Sequence, residues 1–190
     1  MRLQVLVFIG LILSACTLTP MFPAGVTRDV ANEFDFKDWK LQLYEQPLSG
    51  RALPRKVQLG GEIVHVERTP GGLLIVGNNL PIVEHPKYGP KRVKRSGDSM
   101  FAIQFRLISD STWLQRGNFF VVVGRPDGTK TVAIDDTVKS EPYLVAECIH
   151  IWKNQGRDIA SFPFETGAGY YPLEEETFCD ASSSTQERVS

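Results

Sequence analysis

An all-β fold, a small antiparallel OB-like Greek-key barrel of about six strands, is predicted by three observations. Apolar runs with strand periodicity recur from Arg55 to Trp152, glycine, proline and asparagine separate them, and no sustained helical period interrupts that span. An open β-sandwich is the alternative arrangement. The 190 residues are 42% hydrophobic and 23% charged, enough apolar surface for one folded domain. With 21 Lys and Arg against 22 Asp and Glu, the net charge of −1 supplies neither the positive field expected of a nucleic-acid binder nor the acidic excess of a solvating tail.

The strands follow in order. In Val57-Gln58-Leu59-Gly60-Gly61-Glu62-Ile63-Val64-His65-Val66 the apolar positions run 57, 59, 63 and then 64, 66, so the buried face changes parity, and a bulge or sharp bend just after Gly60-Gly61 is expected. Leu73 to Val76, after the turn Pro70-Gly71-Gly72, is apolar on both sides and reads as a strand covered on both faces. Met100 to Leu107 alternates Phe101, Ile103, Phe105 and Leu107 with smaller or polar residues, the pattern of a half-buried strand. Phe119 to Val123 and Thr131 to Ile134 flank Pro126-Asp127-Gly128 and predict a hairpin turning there. Tyr143 to Trp152 is the last long strand, ended by Asn154-Gln155-Gly156. Residues 28–44 fit neither period cleanly, and a short helix followed by a strand is expected.

The ends of the chain carry the information on location. Arg2, the apolar run Val5 to Leu13 and the small residues Ser14 and Ala15 form a secretion signal, too short to span a bilayer. Leu13-Ser14-Ala15-Cys16 resembles the lipobox of bacterial lipoproteins, in which the cysteine sulfur takes a diacylglyceryl group and becomes the new N-terminus after cleavage. Each buried methylene of such a lipid contributes about 0.8 kcal/mol, so several acyl chains give stable attachment. Thr17 rather than Asp follows the cysteine, as in lipoproteins passed on to the outer membrane. The expected organisation is a signal peptide over 1–15, a lipidated N-terminus and tether over 16–27, a β-barrel domain over 28–173, and a disordered tail over 174–190 that starts with three glutamates and ends Ser-rich.

The order of these motifs resembles the Slp family of starvation-inducible outer-membrane lipoproteins. The carrying residues are Cys16, Val57 to Ile63, Leu80-Pro81-Ile82, Trp113-Leu114-Gln115-Arg116-Gly117 leading into Phe119 to Gly124, and Tyr143 to Glu147 continuing through Ile149-His150-Ile151-Trp152. The resemblance implies an outer-membrane lipoprotein facing the periplasm, linked to starvation or envelope stress, and it brings no catalytic residues. The chain departs from the family pattern in its charged loop over 84–98 and in its second and third cysteines.

Lys87, Lys91, Arg92, Lys94 and Arg95 put five basic residues within nine, a pattern suited to anionic headgroups, lipopolysaccharide or an acidic envelope protein, and equally to a solvated loop. One aromatic residue among them is too little for a nucleic-acid stacking platform. Cys148 and Cys179 remain once Cys16 is assigned to lipid; in an oxidising compartment they can pair, or Cys148 can be a buried thiol within an apolar strand. His65, His85 and His150 lack ligand spacing apart from the Cys148/His150 pair, and two further zinc ligands cannot be named. Asp135-Asp136 and Glu174-Glu175-Glu176 lack the rhythm of a calcium loop. Phe162, Phe164, Tyr170, Tyr171 and Phe178 form an aromatic segment that can cover one end of the core, line a groove or touch lipid. With no catalytic motif present, the expectation is a non-enzymatic envelope protein whose one non-protein group is the lipid on Cys16; a periplasmic hydrolase or metal-dependent enzyme using His65 or His150 is the alternative.

Overall fold

The computed structural model describes residues 20–44, 54–92, 99–106, 108 and 110–180. Cys16 with the apolar leader, Lys94, Arg95 and Leu107 lie outside them, as does the final stretch over 181–190. The strands are β1 (Val57–Thr69), β2 (Gly72–Leu80), β3 (Met100–Phe105), β4 (Phe119–Ile134), β5 (Thr137–Trp152), β6 (Phe164–Thr166), β7 (Gly169–Tyr171) and β8 (Glu175–Cys179). One sheet runs β3-β2-β1-β4-β5-β8, and a parallel pairing of β3 with β5 closes its first five strands into a ring, the OB-like barrel order.

β1 reaches round two sides of this ring. Val57 to Glu62 pair with β4, while Gly60 to Thr69 pair with β2. The parity change falls where it is expected, just after the glycine pair, as a register shift between Ile63 and His65. Gly61 serves another purpose: a Cβ there would stand 2.5 Å from Phe120 Cζ, and one on Gly77 of β2 would do the same. The two glycines leave room inside the barrel for the Phe120 ring, which is fully buried.

The expected hairpin at Pro126-Asp127-Gly128 is not a turn. β4 runs unbroken through these residues, and the register shift between Pro126 and Thr129 absorbs one extra residue as a bulge, with Gly128 at φ 72°. The chain reverses at Asp135-Asp136, where Asp135 takes φ 51° and Ile134 faces Thr137. Two of the expected strands are therefore halves of one, and the sixth strand of the sheet is β8. The long β4–β5 arm brings Val132 into a buried cluster with Leu74, Val76 and Ala102, covering the outer side of β2 and β3.

Helix α1 (Ala24–Thr27) is a single turn, and α2 (Phe36–Tyr44) replaces the helix-then-strand expectation for 28–44. Asp35 starts α2 by accepting from the amides of Lys37 at 2.6 Å and Asp38 at 3.2 Å. Phe36 and Trp39 then enter the interior cluster, where Phe36 meets Phe101 at 5.6 Å, and the Tyr44 hydroxyl donates to the Ser140 carbonyl. Trp113 and Leu114 join the same cluster from a short turn capped by Asp110.

A second apolar cluster lies on the outer side of β4 and β5. Phe119, Val121, Val123, Cys148 and Trp152 point there, and Phe22 and Val26 from the segment expected to be a mere tether cover them. Phe22 is 3% exposed and Val26 1%, so this segment is packed structure. Burying a Phe side chain contributes about 2 to 3 kcal/mol, ample reason for the segment to leave solvent.

Candidate functional site

The parallel β3–β5 seam is short, three residue pairs from Ala102↔Tyr143 to Gln104↔Val145. Beyond it β5 changes partner and pairs with β8 from Cys148 onward. On the outer side of this change-over lies an open groove of about 560 Å³, lined by Lys56, Gln104, Arg106, Arg125, Tyr143, Glu147 and Asp180 among others. That volume falls within the range of small-ligand sites. An adjoining hollow of about 510 Å³ shares Lys56, Arg125 and Val145 and adds Arg55.

Lys56 is committed within the protein: its Nζ lies 2.8 Å from Glu147 Oε2 and donates to the Gly25 and Val26 carbonyls at 3.4 Å. The two arginines are held loosely. Arg106 Nε stands 3.8 Å from Asp180 Oδ2 and Arg125 Nε 3.8 Å from Glu147 Oε1, both beyond hydrogen-bond distance, and their side chains are 73% and 64% exposed. The Tyr143 phenol is pushed up by burial and by the nearby Asp127 carboxylate, which keeps it a neutral donor. The groove thus offers two guanidiniums and a neutral hydroxyl over a floor supplied by Val145 and Ala146, the equipment for an anionic, hydrogen-bonding ligand.

The basic loop is arranged differently. Lys91 Nζ lies 2.5 Å from Glu84 Oε1, and that hydrogen bond holds the ammonium above its ordinary pKa. Arg92 Nη2 lies 2.5 Å from Glu62 Oε1 with its guanidinium over the Phe119 ring, and Lys87 sits over Tyr88. Each described cation of the loop already has a neighbour in its own chain.

Cys148 and Cys179 face each other in the β5–β8 ladder and are joined as a disulfide. The tail expected to be disordered from 174 is therefore strand through Cys179, because edge pairing and the cross-link hold residues whose composition alone would not. Beside the cystine, His150 Nδ1 lies 2.6 Å from the Thr177 hydroxyl, which donates to the Met21 carbonyl at 3.1 Å. One hydroxyl proton cannot serve both, so neutral His150 carries its proton on Nδ1. Burial holds this imidazole below its ordinary pKa, against the opposing pull of Glu175, whose carboxylate is 3.5 Å from Nε2 and accepts from Trp152 Nε1 at 2.6 Å. The chain His150, Thr177, Met21 ties the N-terminal segment to β8. His65 and His85 lie elsewhere, the latter capping the turn at Pro86. Among the described residues, no group of three or more His, Cys, Asp or Glu side chains is placed to hold a metal ion.

Residues 13–176 match the family described as the outer membrane lipoprotein Slp family, a span covering the lipobox, the barrel and most of β8's first half. The chain belongs to the Slp family. No curated protein matches it. Membership in a family of outer-membrane lipoproteins makes this an envelope protein associated with the membrane. In this Slp-family chain the sequence-selected cysteines 148 and 179 come together, whereas the basic loop and the groove arginines are separate features. Arg106 and Arg125 escaped sequence reasoning because one follows the end of β3 and the other lies within β4, 19 positions on, and neither belongs to a basic run; only the β3–β5 closure makes them lining residues of one groove.

Proposed function

We propose that this Slp-family protein is a non-enzymatic envelope lipoprotein, held in the outer membrane by acyl chains on Cys16, that binds an anionic envelope component in the groove at the β3–β5 seam. The observation that carries the binding reading is the pair of solvent-facing guanidiniums lining one groove, Arg106 at 3.8 Å from Asp180 and Arg125 at 3.8 Å from Glu147. Phosphate-bearing glycolipid such as lipopolysaccharide suits this donor set, since arginine reads phosphate bidentately. The anchoring reading rests on the lipobox and on Met21 and Phe22, which fasten the barrel to the chain only a few residues after Cys16. The loop around Lys87, Lys91, Arg92, Lys94 and Arg95 then serves as a flanking electrostatic surface, because its described cations have carboxylate or aromatic neighbours.

The test is binding of purified lipopolysaccharide, and of the same material stripped of phosphate, to the lipidated protein in detergent. Binding to the intact material alone, lost in Arg106→Glu/Arg125→Glu and kept in Lys91→Glu/Lys94→Glu, is the expected outcome. Loss confined to the loop variant would move the site to the loop. For the anchor, Cys16→Ser is expected to lose both fatty-acid labelling and outer-membrane fractionation; retention of both would refute it.

A further inference from the structure

Strands β6 and β7 form a two-stranded ribbon apart from the barrel sheet, and none of their residues is buried. Phe164 stacks on Tyr171 at 5.1 Å with the rings 10° from parallel, Phe162 meets Phe164 edge-on at 5.0 Å, and the Arg157 guanidinium lies 4.5 Å from the Phe164 ring. Tyr170 remains 61% exposed and Tyr171 40%. An isolated two-stranded hairpin is marginal in water, and so large an aromatic surface outside the core calls for a covering partner.

The position of the ribbon narrows what that partner is. Ile159 before it and Leu173 after it pack into the outer cluster that also holds Met21 and Phe22. The base of the ribbon therefore adjoins the point where the chain leaves the barrel toward Cys16. Met21 is the fifth residue after Cys16, a reach of at most about 18 Å when fully extended. A barrel leashed so closely at this face has the membrane as its nearest extended neighbour. Tyr88, 50% exposed, joins the same side, since Gly89 packs against Ile159.

We propose that the β6–β7 ribbon is a second membrane contact, with Tyr170 and Tyr171 lodged at headgroup level in the bilayer that holds the Cys16 lipid. The proposal rests on the anchored reading above. Tyrosine suits that depth, having an apolar body and a polar tip. The charges around the ribbon set a limit: Arg157, and Lys87 beside Tyr88, favour phosphate headgroups, while Glu165 within the ribbon opposes entry into the hydrocarbon. The contact is interfacial, and with the lipid it would fix the orientation of the barrel by two points.

The experiment uses the full chain, lipidated in its host, in phosphatidylethanolamine–phosphatidylglycerol vesicles with brominated acyl chains. Tyr170→Trp is compared with Val138→Trp, a 68% exposed position at the opposite end of β5, after subtraction of the emission from native Trp39, Trp113 and Trp152. Mass spectrometry and vesicle flotation on the same samples report the anchor. The expected result is that both variants are acylated and float, and that bromine quenches the indole introduced at position 170 but not the one at position 138. Tyr171→Trp repeats the test should the first substitution disturb the ribbon. Equal quenching, or none, in acylated floating protein overturns the ribbon contact and leaves the anchor standing. Emission from the Tyr170→Trp variant that shifts with protein concentration instead of bromination would assign the ribbon to a second copy of the chain and overturn it too. Absence of acyl mass and of flotation would refute the anchored reading itself.

Discussion

Two outer faces of the same barrel are finished in opposite ways. Over β4 and β5 the chain seals its own surface: Phe22 and Val26 cover Val121 and Val123, and β8 closes the edge through Cys148–Cys179. Over the β3–β5 seam it leaves a polar groove open between Arg106 and Arg125. The difference lies in what each face can lose to water. The first would expose Val, Phe and Trp side chains that gain by burial; the second presents guanidiniums that remain well solvated until a ligand with matching acceptors displaces the water. The sealed face holds the protein together and leads to the anchor, and the open face is where binding costs the fold little.

That division is open to attack by substitution. The largest effect is expected from Cys148→Ala/Cys179→Ala. A cross-link between residues 31 apart contributes about 3.5 kcal/mol, so urea denaturation should show a loss of that order while the groove arginines remain in place. Phe22→Ala removes a buried ring from the sealed face and should cost about 3 kcal/mol by the same measurement. A small loss there would mean that the N-terminal segment is not docked. In contrast, Arg106→Ala/Arg125→Ala should change stability by less than about 0.5 kcal/mol yet weaken phosphate-dependent lipopolysaccharide binding about tenfold or more. A stability loss matching that of Phe22→Ala would erase the distinction between the faces.

The pH dependence sharpens the same contrast. His150 has a folded pKa below its unfolded value, so the unfolded chain takes up the proton first as pH falls, and stability must drop on acidification below about 7 toward the folded value. Denaturation midpoints at pH 7.5 and 5.5 should differ in that direction, and His150→Gln should narrow the difference. The smallest effect is expected in the loop. Lys91→Ala removes an exposed ion pair with Glu84, and its melting temperature should match that of the parent at 0.5 M salt.

How much of this was legible in the sequence depended on whether a feature is local. The two-sided apolar run Leu73 to Val76 and the alternation through Phe101, Ile103 and Phe105 specify their strands by themselves, and the barrel class follows. Pro126-Asp127-Gly128 misled because the same residues that favour a turn also favour a bulge, and the choice is made by the continuous pairing of β4 with β5 on both sides of it. The glutamates at 174–176 hid a strand whose stability comes from its neighbour and a cross-link. Five cations crowded into 87–95 drew attention to the loop, yet Glu84 and Glu62 stand beside Lys91 and Arg92. Arg106 and Arg125 gave no signal because charge assembled by topology leaves no trace in local spacing.

The most direct test of the central claim is site-specific photo-crosslinking in intact cells with the native lipid signal in place, from a photoreactive residue replacing Gln104 in the groove and, separately, one replacing Lys91 in the loop. Capture of a lipopolysaccharide ladder from position 104, lost when Arg106→Glu/Arg125→Glu is added, is the predicted result. A ladder captured from position 91 and not from 104 would contradict the account.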